Sequence, residues 1–124
     1  LFRNDTNPTT QNDTLAGSGM TLDIGTSTAI PPYSINRVGN SDTSNNLVIS
    51  LYSGSIGQEI FFTYTESQTG TVRINGVANN LVLTGAGTNL DLTGLGQTVH
   101  LLCIDNGSGV GVWYVVGGTG FTVS

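Results

Sequence analysis

Apolar side chains in this chain recur at every second position far more clearly than at helical spacing. Residues 20–24 (MTLDI) and 71–74 (TVRI) alternate apolar with polar, and residues 47–52 (LVISLY) set Leu47, Ile49 and Leu51 on one side. Side chains along a strand point alternately to its two faces, so each segment predicts a strand with one buried face. Residues 59–65 (EIFFTYT) place Ile60, Phe62 and Tyr64 opposite Phe61 and Thr63. Short strands are expected at 81–83 and 90–92, with a last one around Phe121 and Val123. Polar and glycine-containing stretches at 25–28, 39–46, 54–57, 66–70 and 84–89 supply the turns. Asn75-Gly76 is the strongest short hairpin signal. Pro31 and Pro32 lack ladder donors, so residues 30–35 are expected at an edge or in a crossing segment. No segment combines helical periodicity with caps, and almost no helix is expected.

The last third of the chain departs from simple alternation. Residues 98–104 and 110–116 flank Asp105-Asn106-Gly107-Ser108-Gly109 and read as a hairpin. Val99, Leu101 and Cys103 oppose His100, Leu102 and Ile104, while Val112, Tyr114 and Val116 oppose Trp113 and Val115. Strands apolar on both sides are covered on both sides. One face is therefore expected to pack the core and the other to meet a neighbouring copy, with His100, Leu102, Trp113 and Val115 as the oligomer-interface set. Trp113→Ala is then expected to weaken assembly as well as folding, with a core-truncation cost of about 3–5 kcal/mol.

Many short strands separated by turns predict an all-β fold: an antiparallel β-sandwich, jelly-roll-like, or a triangular β-prism. The 124 residues suit one domain. Residues 1–19 are polar and without period, an N-terminal linker or arm, and 20–124 form the single all-β domain. One internal echo stands out, GQEIFF from Gly57 against GQTVHL from Gly96, each preceded by an apolar residue (Ile56, Leu95). Two copies suggest two similarly built hairpins and do not make a solenoid, which needs about three repeats.

Composition narrows the function. Charged residues are 9% of the chain, against about 25% in ordinary domains. Lys is absent, the only basic residues besides His100 are Arg3, Arg37 and Arg73, and the net charge is −5. Nucleic acid and anionic membrane surfaces need clustered basic groups, so neither is an expected partner. No apolar run reaches the roughly 20 residues of a membrane helix, so no membrane insertion is expected. The single His and single Cys are three residues apart, which in a strand sets them on opposite faces, and no zinc or other metal site is expected. The eight carboxylates stand in no recognisable motif, the glycine-rich stretches lack the phosphate-loop Lys, and no serine nucleophile elbow occurs. The chain is therefore expected to be no enzyme, with no catalytic residue and no cofactor. Tyr33 and Tyr52, beside Pro and Ser, are the expected receptor contacts.

The segments Gly96-Gln97-Thr98-Val99, Leu101-Leu102-Cys103-Ile104-Asp105-Asn106-Gly107 and Trp113-Tyr114-Val115-Val116-Gly117-Gly118 resemble the closing strands of viral fibre and spike proteins. There a GQ turn leads into an apolar strand, a short D/N-G turn and a W-Y strand. The upstream GQEIFFTYTESQTGTVRINGVANNLVLTG is similar in style, so the resemblance spans about residues 47–123. It implies a homotrimer on a phage tail, capsid vertex or head fibre. The expected function is that of a virion structural protein, a fibre or spike domain acting in host attachment. It would lie on the virion surface and contact other virion proteins and a host glycan or protein. The alternative is a carbohydrate-binding β-sandwich module of a secreted enzyme or adhesin.

Overall fold

The computed structural model describes residues 11–16, 21–24, 35–83 and 87–124, the first two stretches as backbone. The all-β expectation holds. Two sheets pack face to face from strands β1 (Gln11–Ala16), β2 (Thr21–Ile24), β3 (Ile35–Asn40), β4 (Leu47–Leu51), β5 (Glu59–Tyr64), β6 (Val72–Gly76), β7 (Leu81–Val82), β8 (Asn89–Leu92), β9 (Thr98–Asp105), β10 (Gly111–Thr119) and β11 (Thr122–Val123). One sheet runs β1-β3-β5-β9-β10-β7 and the other β11-β8-β6-β4-β2. Part of the segment expected as an arm thus supplies an edge strand, β1. The proline-containing residues 30–34 lie outside the described residues.

The sheets are mixed rather than purely antiparallel. The first six strands alternate between the sheets. β1, β3 and β5 pair in parallel in one, and β2, β4 and β6 in the other. This amounts to three successive two-strand coils, a winding that carries no sequence repeat. The direction then reverses, with β8 antiparallel to β6, β9 antiparallel to β5, and β10 antiparallel to β9. The expected Asn75-Gly76 hairpin does not form. Gly76 ends β6 with φ −99°, and a short 3-10 turn, Val77–Asn79, carries the chain to β7 in the opposite sheet. The left-handed residues there are Ala78 and Asn79 instead.

The GQ echo is one turn used twice. Gln58 N–H donates to Ser55 O (2.9 Å) and Gln97 N–H to Gly94 O (3.2 Å), each closing a turn. Gly57 (φ 91°) and Gly96 (φ 89°) take the left-handed third position that favours glycine. Both glutamine side chains also accept a backbone N–H, from Ser55 and from Thr93 respectively. These turns launch β5 and β9, which are neighbours in one sheet.

Alternation fills the interior as the sequence suggests. Leu47, Ile49 and Leu51 meet Ile60, Phe62, Tyr64, Val72, Ile74, Leu90, Leu92, Val99, Leu101, Cys103 and Trp113 in one buried cluster. The two ends of the sandwich are closed by hydrogen bonds. Where the chain leaves the six-stranded sheet after β3 and β5, the buried Asn40 side chain donates to Asn45 O (2.9 Å) and Thr71 O (3.0 Å) and accepts from Asp42 N–H (2.9 Å). The Tyr64 hydroxyl lies 2.8 Å from Gly70 O and 3.1 Å from Asn40 O, and accepts from Asn40 N–H at 3.2 Å. Burial pushes the Tyr64 phenol up, keeping it neutral. At the opposite end, Trp113 Nε1 donates to Tyr52 O (2.9 Å), and Trp113 N–H donates to Asn80 O (2.7 Å). Gly54 lies against the indole so closely that a Cβ there would sit 2.5 Å from Cζ2.

Tyr64→Phe keeps the ring and removes only the hydroxyl from this buried node. The expected loss is about 1–3 kcal/mol, the cost of a buried polar partner left unmade. A urea midpoint equal to that of the parent chain would contradict it.

Candidate functional site

The two sheets present opposite chemistry on their outer faces. On the five-stranded sheet, Arg73 and Asp91 stand opposite each other in register. They form a two-point ion pair, Nε–Oδ1 2.9 Å and Nη2–Oδ2 2.9 Å, with the Ser124 hydroxyl donating to Asp91 Oδ2 (3.1 Å). Ser50, Asn75 and Asn89 share the register rows around this pair, a face made for water.

The outer face of the six-stranded sheet carries a run of apolar side chains among the polar Arg37, Glu59, Thr63 and Thr98. Its register sets Ile35 beside Phe61, Phe61 beside His100, Leu102 beside Tyr114, and Ile104 beside Val112. Val82 of β7 extends the row from Tyr114. Ile35, Phe61, Val82, Ile104 and Val116 are all exposed, Phe61 by 39%. The Phe61 and His100 rings stack with centroids 3.9 Å apart and planes 16° from parallel. His100 Nε2 lies 2.8 Å from Glu59 Oε1, which fixes the imidazole edge-on to a carboxylate while its face stays on Phe61. On the β3 side, Arg37 and Glu66 pair at 2.6 Å. The face thus has an aromatic and aliphatic run with Glu59 directly beside Leu102 and the Arg37–Glu66 pair towards the β3 side.

The predicted interface residues do not share one face. His100 and Leu102 project outward from β9. Trp113 and Val115 project inward, because the hairpin register pairs Trp113 with Cys103 and Val115 with Leu101. Trp113 has no exposure at all and leaves the interface set; Val115 is half-buried and packs against the core. Which face of β10 continues which face of β9 depends on the loop length, and a one-residue difference exchanges the two. The outward partners of Leu102 and Ile104 are Tyr114 and Val112. Phe61 and Glu59 lie on the same outer face and were not in the expected set, although Phe61 beside Phe62 in EIFFTY breaks the alternation of β5. Tyr52 is half-buried and contributes its carbonyl to Trp113. Tyr33 lies outside the described residues.

Cys103 is buried in the core, and burial pushes its thiol up, which keeps it protonated and poorly nucleophilic. Among the described residues, no group of three His, Cys, Asp or Glu side chains gathers to hold a metal ion. No helix among them is long and apolar enough to cross a membrane. At the β9–β10 tip, Asp105 Oδ1 accepts the N–H groups of Gly107 and Gly109, both at 2.8 Å. Those two bonds hold the Asp105 carboxyl below the usual aspartate range.

No family model, curated protein or solved structure matches the chain.

A carboxyl with a depressed folded-state pKa holds its loop above the ordinary aspartate value and releases it as pH falls through the lower, folded value. In an NMR titration the Gly107 and Gly109 amide signals should therefore move together, with an inflection below that of an unstructured aspartate. An inflection at the unstructured value would show that the two bonds do not persist in solution.

Proposed function

We propose that this chain is a structural domain of a viral fibre or spike, assembling as a homotrimer on the virion surface and acting in host attachment. The observation that supports it most is the apolar outer face of the six-stranded sheet, set against the polar, ion-paired outer face of the other. A sheet surrounded by water on its outside alternates apolar with polar, and β9 and β10 do not, while β5 adds Phe61 to its outer side between Glu59 and Thr63. Interfaces between protein subunits have an apolar centre with aromatic enrichment and a polar rim. Phe61, Leu102, Ile104 and Tyr114 fit such a centre, with Arg37–Glu66 fitting the rim and Glu59 engaged by His100 beside Leu102. A second copy of the chain is the occupant to which this reading commits. Three copies presenting weak surface contacts together gain avidity that one copy lacks. The low charge and the abundance of hydroxyl and amide side chains favour an adhesive surface over a catalytic one.

A flat sheet face bearing the stacked Phe61–His100 pair also suits sugar rings, which favours the carbohydrate-binding module as the second reading.

Native mass spectrometry or sedimentation should find a trimer. Leu102→Glu, which places a charge at the centre of the outer face without entering the core, should yield folded monomer. A parent chain that is a stable monomer, and that binds glycans on an array in that state, would overturn the fibre reading in favour of the module. A trimer undisturbed by Leu102→Glu would move the interface off this face.

A further inference from the structure

The chain contains two Asn-Gly steps, Asn75-Gly76 and Asn106-Gly107, in opposite surroundings. Asn75 lies in β6, in the middle of the five-stranded sheet, laddered to Ser50 on one side and Asn89 on the other. A Cβ on Gly76 would sit 2.3 Å from the backbone nitrogen of Leu81, so this step is packed in. Asn106 and Gly107 form the exposed tip of the β9–β10 hairpin, where a Cβ on Gly107 would meet nothing within 4 Å.

At that tip three groups converge on the Asn106 side chain and the peptide bond that follows it. The Gly107 N–H points at Asp105 Oδ1, 2.8 Å away. Asn106 Oδ1 accepts two hydrogen bonds from Ser108, one from its backbone N–H at 2.9 Å and one from its hydroxyl at 2.8 Å. An amide carbonyl that accepts two donors is polarised for attack, and the same donors stabilise the negative charge that attack places on its oxygen. A carboxylate on the neighbouring N–H is placed to accept the proton the nitrogen must lose. The glycine leaves the approach clear.

We propose that the β9–β10 tip is a self-modification site at which Asn106 cyclises onto Gly107 and hydrolyses to aspartate or isoaspartate. The Gly107 nitrogen attacks Asn106 Cγ, forming the new C–N bond as its proton passes to the Asp105 carboxylate. Ser108 holds the oxyanion of the tetrahedral intermediate. Collapse breaks the Cγ–Nδ2 bond, and the proton held by Asp105 goes to the departing nitrogen, which leaves as ammonia. Water then opens the succinimide at either carbonyl, giving a free carboxylate, with no change of oxidation state. The product exchanges a neutral amide for a negative charge beside Asp105. The isoaspartate form also inserts a methylene into the backbone of the tip. Both changes work against the bonds from Gly107 and Gly109 to Asp105. The hairpin end therefore loosens with the age of the protein, whatever partner the sheet face takes.

The test is peptide mapping by mass spectrometry of the intact chain aged near neutral pH, folded and in urea. Asn106 should convert faster in the folded chain than in the unfolded one, by on the order of tenfold, below the roughly 10²–10⁴-fold of a base whose pKa matches the working pH, because the Asp105 carboxyl is held low and is a weak base. Asn75 should show the reverse order. Asp105→Ala should return Asn106 towards the rate of the unfolded chain, and Ser108→Ala, which removes the hydroxyl but keeps the backbone N–H donor, should lower the folded-state rate in part. A folded-state rate at Asn106 no greater than the unfolded rate would overturn the proposal, as would an Asp105→Ala chain that ages at the parent rate. The comparison of folded and unfolded parent chain holds even where a variant folds poorly.

Discussion

The described passages from one sheet to the other take backbone groups out of a ladder beside the buried core, and the fold depends on meeting the hydrogen bonds of those that are covered. Buried backbone donors and acceptors left unmade cost more than most side-chain contacts return. A sandwich wound by alternation between sheets makes this demand at both ends, several times over. At one end Asn40 and Tyr64 answer it for the passages after β3 and β5, the amide bridging to Asn45 and Thr71 while the phenol sits between Asn40 and Gly70. At the other, Trp113 answers for the passages after β4 and β6 through Tyr52 O and Asn80 O. The largest buried side chains are thus the ones with a polar tip at the sandwich ends, while the middle is filled by Leu, Ile, Val and Phe.

Between these closed ends the two sheets differ only on the outside. The Arg73–Asp91 pair with Ser124 ties β6, β8 and the chain end together across one outer face, where its charges reach water. The other face carries Phe61, His100, Leu102 and Tyr114, and water gains nothing by wetting it. Low overall charge sharpens the contrast, because few ionic groups are available to break up an apolar row. This asymmetry is a chemical feature that separates the chain from a generic sandwich. Cys103 and His100, the two residues that invite a search for chemistry, occupy opposite faces of one strand and serve packing and stacking.

Much of this was legible in the sequence. The strands β4, β5, β6, β9 and β10, their inward residues and the scarcity of helix follow from period-two patterning, because alternation is a property of each strand alone. The doubled apolar character of β9 appears in the structure as Leu102 and Ile104 facing outward, opposite the inward Val99, Leu101 and Cys103. The GQ echo pointed to a shared turn, and the structure supplies the left-handed glycines and the side-chain bonds that explain it. The Asn75-Gly76 signal misled. The local preference for a tight turn lost to the pairing of β7 with β10, which draws the chain across to the other sheet.

What the sequence by itself determined is therefore local: which residues alternate, which strands are apolar on both sides, where turns interrupt them, and how sparse the charge is. What only the tertiary structure decided is relational. The parallel coils of β1 to β6 join residues far apart in sequence, and nothing in a non-repeating chain announces which strand will lie beside which. The register of the last hairpin likewise separated Trp113 and Val115 from His100 and Leu102. Period two leaves the two faces of a strand equivalent until a neighbour is fixed, and one residue of register exchanges core for surface.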